Sequence, residues 1–322
     1  MIEKKSREYE IEDVFRTYGV LTREAGFYFY FSRKIRELRE CGHEGTARAY
    51  ASSLRSMQRY LGKKDFPFIK LSSRIISDYQ GKLLASGICD NTIGFYLHNI
   101  KALFRKGCRE MGLELPCPFR DISIKTEKTL KRSLDPVVIK TLSAIELEKD
   151  SPLSLARDIF MFSFYTRGMS FVDIALLKKR HVFPGEICYR RHKTDQLMRV
   201  GINKEISRIL ERYKNVPGEY IFPLFPAERD PYAGYRSAYH RIRYSLGKIS
   251  RVIGLEFPLR LHAARHSWAT IAKVNGASVH VIGECLGHTS EKTTRIYLKE
   301  LDHSALDAVN NQVADFILAV DD

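Results

Sequence analysis

The sequence has no run of about 18 apolar residues and no charged leader followed by an apolar stretch, which argues against membrane insertion and secretion. Its six cysteines (Cys41, Cys89, Cys108, Cys117, Cys188 and Cys285) are scattered and form no CxxC pair, so reduced thiols in a cytosolic protein are expected rather than a disulfide framework. Neither a P-loop nor a carboxylate cluster is present, which leaves ATP-driven and metal-dependent phosphate chemistry without its usual residues. Acidic residues are also in short supply, 38 against 53 basic ones, for a net charge of +15. That imbalance points to a polyanionic partner, nucleic acid before an anionic membrane surface.

What is present is a chain of 322 residues, 44% apolar, long enough for two folded domains. Residues 1–133 hold 26 basic and 16 acidic residues (+10), and residues 134–322 hold 27 and 22 (+5), so two-thirds of the excess lies in the first two-fifths of the chain.

After a polar lead-in over 1–21, residues 22–114 read as a small helical domain. Residues 22–40 have helical composition and stop before Gly42, with Phe27, Phe31 and Leu38 available to a core. Residues 46–61 place Tyr50, Leu54, Met57 and Leu61 on one face, and Arg48, Ser52, Arg55 and Arg59 on another. A third helix is expected over about 72–86. A fourth opens at Asp90 or Asn91 as cap, with Ile93, Leu97, Ile100, Phe104, Cys108 and Met111 inside and His98, Lys101, Arg105 and Arg109 outside. Two helices that each carry an apolar and a basic stripe fit a module that holds a duplex by its phosphates, gaining affinity by counterion release. Residues 115–133 break the periodicity with Pro116 and Pro118 and carry Lys125, Lys128, Lys131 and Arg132, as a basic linker would.

The remainder, 134–322, supplies reactive groups. Asp135-Pro136 starts a helix, and an apolar helix over about 152–165 runs into Thr166-Arg167-Gly168-Met169-Ser170. A hairpin follows: Ile187 to Arg191, a turn around Lys193-Thr194-Asp195, then Leu197 to Ile202. The region from Pro223 to Pro258 is aromatic and basic, the composition of a further phosphate-facing helix. His262, Arg265 and His266 share a face of the next helix, which should end near Asn275-Gly276. A helix from Ser278 to Leu286 ends at Gly287; His288 follows, and Tyr297 comes nine residues later.

A zinc pair at His262 and His266 is disfavoured, because Ala263 stands where a metalloprotease has Glu and no acidic or cysteine ligand is near. A non-catalytic helix-turn-helix protein remains open on the run ASVHVIGECLGHTSEKTTRIYL. The combination HxxR (His262 to Arg265), LGH (Leu286 to His288) and Tyr297 resembles the second motif box of the tyrosine recombinase, or phage integrase, family. The resemblance extends over the whole chain. It implies a mainly α fold with a small antiparallel β-hairpin or sheet: a four-helix, SAM-like core-binding domain, then an α+β catalytic domain ending in an interaction helix around Leu306, Val309, Val313 and Phe316.

By the same resemblance Tyr297 is the nucleophile, Arg265, His262 and His288 attend the phosphate, and Lys193 is the general acid. Attack would leave a 3′-phosphotyrosyl link and a free 5′-hydroxyl, with no cofactor and no metal. The implied partners are double-stranded DNA with a specific site and further protomers in a synaptic tetramer, in the cytoplasm at the nucleoid. The sequence departs from the family at the first box, where Ser170 stands in place of an arginine and Arg167, about one helical turn earlier, is the candidate replacement. The arrangement TRGMS is similar to that of a subgroup of Bacteroidota recombinases. A DNA-binding repressor that kept the fold and lost the chemistry is the alternative, and a type IB topoisomerase is disfavoured by the compact N-terminal module.

Overall fold

A computed structural model describes residues 26–125, 127, 133–225, 231–288, 290–298 and 313; for 231–233, 296 and 297 only the backbone is described. The chain divides into two compact units, Met1–Thr129 and Leu130–Asp322. The lead-in, Lys128, Lys131, Arg132 and the tail residues Leu306, Val309 and Phe316 lie outside the described residues; Val313 is helical and exposed.

The first unit is built from helices α1 (Phe27–Glu40), α2 (Glu44–Leu61), α3 (Ser73–Ala85) and α4 (Asp90–Glu110). Their apolar stripes meet in an aromatic-rich core of Phe27, Phe31, Met57, Phe68, Tyr79, Leu97 and Phe104. Gly107 is needed where α4 passes Phe68, because a Cβ there would lie 2.3 Å from the ring. Ser72 caps α3 by accepting from the amide of Ile75. The fourth helix corrects the expected cap: Cys89 takes that position, its Sγ 3.2 Å from Thr92 Oγ1, and Asp90 sits in the first turn, where a carboxylate favours the positive helix end. Asn91 instead pairs with the backbone of Glu127, donating to its carbonyl at 3.1 Å and accepting from its amide at 3.0 Å.

The second unit is centred on α6. Its helices are α5 (Pro136–Ala144), α6 (Pro152–Tyr165), α7 (Phe171–Ala175), α8 (Lys204–Arg212), α9 (Pro231–Val252), α10 (Leu261–Val274), α11 (Val279–Leu286) and α12 (Glu291–Tyr297). Asp135 and Ser151 cap α5 and α6, each just before a proline at the first helical position. Ile159, Phe160, Met161 and Phe162 are all buried, so α6 is covered on every side and the other helices pack around it. A three-stranded antiparallel sheet, β1 (Val182–Phe183), β2 (Glu186–Arg190) and β3 (Leu197–Gly201), covers one flank. Ile187 pairs with Val200 and Tyr189 with Met198 on the buried face, and Arg190 opposite Leu197 closes the ladder, leaving 191–196 as the turn. Among the described residues no helix is long and apolar enough to cross a membrane.

Of the aromatic and basic residues of α9, Tyr235 and Tyr239 pack against Phe171, with ring centroids 5.5 and 5.6 Å away, while Arg236, Arg243 and Tyr244 are exposed. Arg241 on the same helix spends its guanidinium on the Leu224 carbonyl at 2.8 Å and on Ser237 Oγ.

Candidate active site

Arg265 is the centre of the site. It is 5% exposed, and burying a guanidinium is costly unless its N–H groups find acceptors. Nη1 donates to the Gly168 carbonyl at 2.8 Å, and Nη2 donates to the Leu286 carbonyl and lies 2.9 Å from His288 Nε2. These acceptors orient the fork without cancelling its charge, which suits it to an anion. The contact with Gly168 is close. That residue has φ +74°, and a Cβ on it would come within 2.8 Å of Arg265 Cα.

Arg265 also fixes the state of His288. A guanidinium can only donate, so Nε2 of His288 accepts and the ring proton sits on Nδ1, which donates to Thr294 Oγ1 at 3.0 Å. Burial, and then the charges of Arg265, Arg191 and Lys193, push the His288 imidazole down to about 4. Thr294 is fully buried on α12, three residues before Tyr297, and packs where Gly283 of α11 leaves room for its hydroxyl. The helix that ends at Tyr297 is thereby tied to the phosphate-binding groups of its own chain. The Tyr297 side chain lies outside the described residues. Thr294→Val keeps the volume but removes the acceptor; it is expected to slow cleavage by roughly 10-fold with DNA affinity unchanged, while Thr294→Ser stays near the parent in single-turnover assays.

His262 lies on the same face of α10, with its ring centroid 4.8 Å from that of His266. Burial, and then the positive charges of His266, Arg265 and Lys193, push it down to about 4. Lys193, exposed in the β2–β3 turn, is close enough for its charge to act on both imidazoles.

The first box has a different construction from the rest. Ser170 stands just before α7 with its Oγ donating to Asp173 Oδ2 at 2.6 Å, while Asp173 Oδ1 accepts from the His192 amide at 2.8 Å. The buried carboxylate thus fastens the turn that carries Lys193. Thr166-Arg167-Gly168 ends α6 in a Schellman arrangement, with the Gly168 amide donating to Ser163 O at 2.7 Å. Arg167 occupies the left-handed position usually given to glycine (φ +59°), a strained conformation for a residue with a Cβ. Its Nη1 reaches the Arg199 carbonyl on β3 at a long 3.5 Å.

Sequence reasoning missed Arg191. The β2–β3 turn folds onto the LGH turn, so that a Cβ on Gly287 would meet Met198 Sδ at 2.9 Å and Arg191 Cδ at 3.3 Å. Arg191 Nη1 donates to the Gly287 carbonyl, next in the chain to the carbonyl that Arg265 holds.

In the other unit, Arg55, Arg59, Arg105 and Arg109 are exposed and, among the described residues, in no ion pair; Arg48 bonds Glu44 at 2.8 Å, and Lys101 lies 6.0 Å above the Phe119 ring.

Residues 133–303 match the Phage integrase family model, and residues 26–119 match the Phage integrase SAM-like domain. The first match spans more than half of the chain, and the chain belongs to the phage integrase family. Tyrosine recombinase XerC of Shewanella oneidensis is 26% identical over 226 residues, 67% of this chain and 70% of that protein. The fold is shared with lambda integrase (75-356), solved as a dimer bound to a COC′ core site (TM-score 0.64, 17% identity, 87% of this chain and 97% of that one). It is also shared with the Tn1549 transposon integrase in complex with transposon right end DNA (TM-score 0.66, 15% identity, 90% and 100%).

Proposed function

We propose that this protein is a site-specific tyrosine recombinase that cuts and rejoins double-stranded DNA through a 3′-phosphotyrosyl link at Tyr297. The observation that carries the reading is the hydrogen-bonded chain from Arg265 through His288 to Thr294, which joins an anion-binding guanidinium to the helix bearing the tyrosine. Family membership and the DNA-bound relatives support it.

In the reaction the Tyr297 oxygen attacks the scissile phosphorus, forming the P–O bond to tyrosine as the bond to the 5′ oxygen breaks. Lys193 gives the leaving oxygen its proton. His262, neutral at pH 7, takes the phenol proton. The reverse attack by a 5′-hydroxyl of a partner strand rejoins the DNA, because the bond energy is retained in the link. Arg265 stabilises the charge that spreads over the non-bridging oxygens, and Arg167 is a further cation for the same purpose. Arg48, Arg55, Arg59, Lys101, Arg105 and Arg109 hold the flanking phosphates. Exchange between two duplexes involves four strands and hence four protomers, at the nucleoid in the cytoplasm.

The test is capture of DNA from the genome of the source organism in EDTA without ATP. A covalent adduct with a free 5′-hydroxyl supports the reading; sequence-specific binding without any adduct supports a repressor instead.

A pH prediction follows from the two imidazoles. Their folded values near 4 lie below the ordinary 6.5, so between those values the unfolded chain binds more protons than the folded one. Stability from this source is fully present above pH 6.5 and is lost as pH falls towards 4. The unfolding midpoint of the DNA-free protein is expected to fall across that window, and less steeply in the His262→Asn/His288→Asn double variant.

A further inference from the structure

We propose that Arg191 supplies the second guanidinium that grips the scissile phosphate, the function that Ser170 leaves unfilled; this rests on the recombinase reading above. The two arginines hold successive carbonyls of one turn, Arg265 at Leu286 and Arg191 at Gly287. Adjacent α-carbons are about 3.8 Å apart, so the two forks are anchored on neighbouring peptide groups of the turn that carries His288. A phosphodiester presents two non-bridging oxygens, and a guanidinium on each side suits it.

Charge accounting is compatible with this role. Arg157 and Arg212 of the same unit both pair with the buried Asp158. Arg191 is partly buried, yet among the described residues no carboxylate pairs with it, and its one hydrogen-bond acceptor is a neutral carbonyl. A half-buried cation left without a counter-charge is stabilised when an anion arrives. Its charge already acts on His288, as do those of Arg265 and Lys193. Arg167 is likewise partly buried and, among the described residues, without a carboxylate partner, but its guanidinium reaches the β3 carbonyl of Arg199 rather than the turn of His288. Delivery from the hairpin also couples functions, since Arg191 and Lys193 ride on one turn and enter the site together.

The experiment uses the full chain and the DNA site that the parent captures covalently from genomic fragments. Nicked duplexes carrying that site are made with either a phosphodiester or an uncharged methylphosphonate at the cut position. Arg191→Ala, Arg191→Gln and Arg167→Ala are compared in single turnover, the glutamine variant keeping a donor for Gly287 so that the turn stays in place. Both Arg191 variants are expected to bind the site within about 3-fold of the parent and to lose at least about 10²-fold in adduct formation, as on removal of an oxyanion donor. On the methylphosphonate, where there is less charge to neutralise, they should recover at least about 10-fold relative to the parent. Retention of phosphodiester cleavage by Arg191→Gln, or rescue of Arg167→Ala in place of the Arg191 variants, would overturn the assignment, and so would rescue of neither. A parent that captures no DNA would defeat the recombinase reading itself, a distinct result.

Discussion

Arg265→Lys is expected to lower strand cleavage by about 10²- to 10³-fold while leaving site binding close to that of the parent. Lysine preserves the charge but not the fork. The native side chain satisfies the Gly168 and Leu286 carbonyls and meets His288 Nε2, and a single ammonium cannot reproduce that planar set of directions. One or more acceptors would then be left in a buried place without a donor, and His288 would lose the partner that fixes its tautomer. The loss falls on the chemical step because most duplex affinity comes from phosphate contacts elsewhere. Quench-flow measurement of adduct formation, set beside a gel-shift titration, separates the two effects. Equal losses in both would mean that Arg265 serves only binding.

Gly168→Ala carries the second large effect. Two costs add at this residue. Its left-handed backbone disfavours any Cβ by about 1–2 kcal/mol, and the new methyl would lie 2.8 Å from Arg265 Cα, which is backbone and has little room to give. Overpacking of this kind costs a further ~1–3 kcal/mol and would displace the α10 turn that carries His262 and Arg265. The variant should melt well below the parent and, where still folded, form little adduct. By contrast Arg167→Gly puts glycine at a left-handed position that suits it, so a stability change within about 1 kcal/mol is expected by thermal unfolding. Comparison of the two neighbours therefore tests whether the first box is shaped by backbone approach to Arg265 or by side-chain chemistry.

Much of the fold was legible in the sequence because it depends on local pattern. Tyr50, Leu54 and Met57 at helical spacing, Asp135-Pro136 as a helix start and Gly287 as a stop act over a few residues, and the structure places helices accordingly. Long-range caps were not legible. Asp65 accepts from the amides of Tyr28 and Phe29 at the start of α1, a contact across more than thirty residues that no window along the chain contains. The candidate site divides in the same manner. His262, Arg265 and His288 announce themselves by spacing, whereas Thr294 looks like an ordinary helix residue until His288 is found 3.0 Å from its hydroxyl. Arg191 stayed hidden because its place depends on one turn folding onto another.

The central claim is that Tyr297 is the residue that becomes linked to DNA. It is tested most directly by digesting the trapped adduct with protease and nuclease and locating the nucleotide-bearing residue by mass spectrometry, with Tyr297→Phe run in parallel. The account predicts the nucleotide on Tyr297 and no adduct from the variant. An adduct of undiminished yield from Tyr297→Phe, or a nucleotide found on another residue, would contradict it.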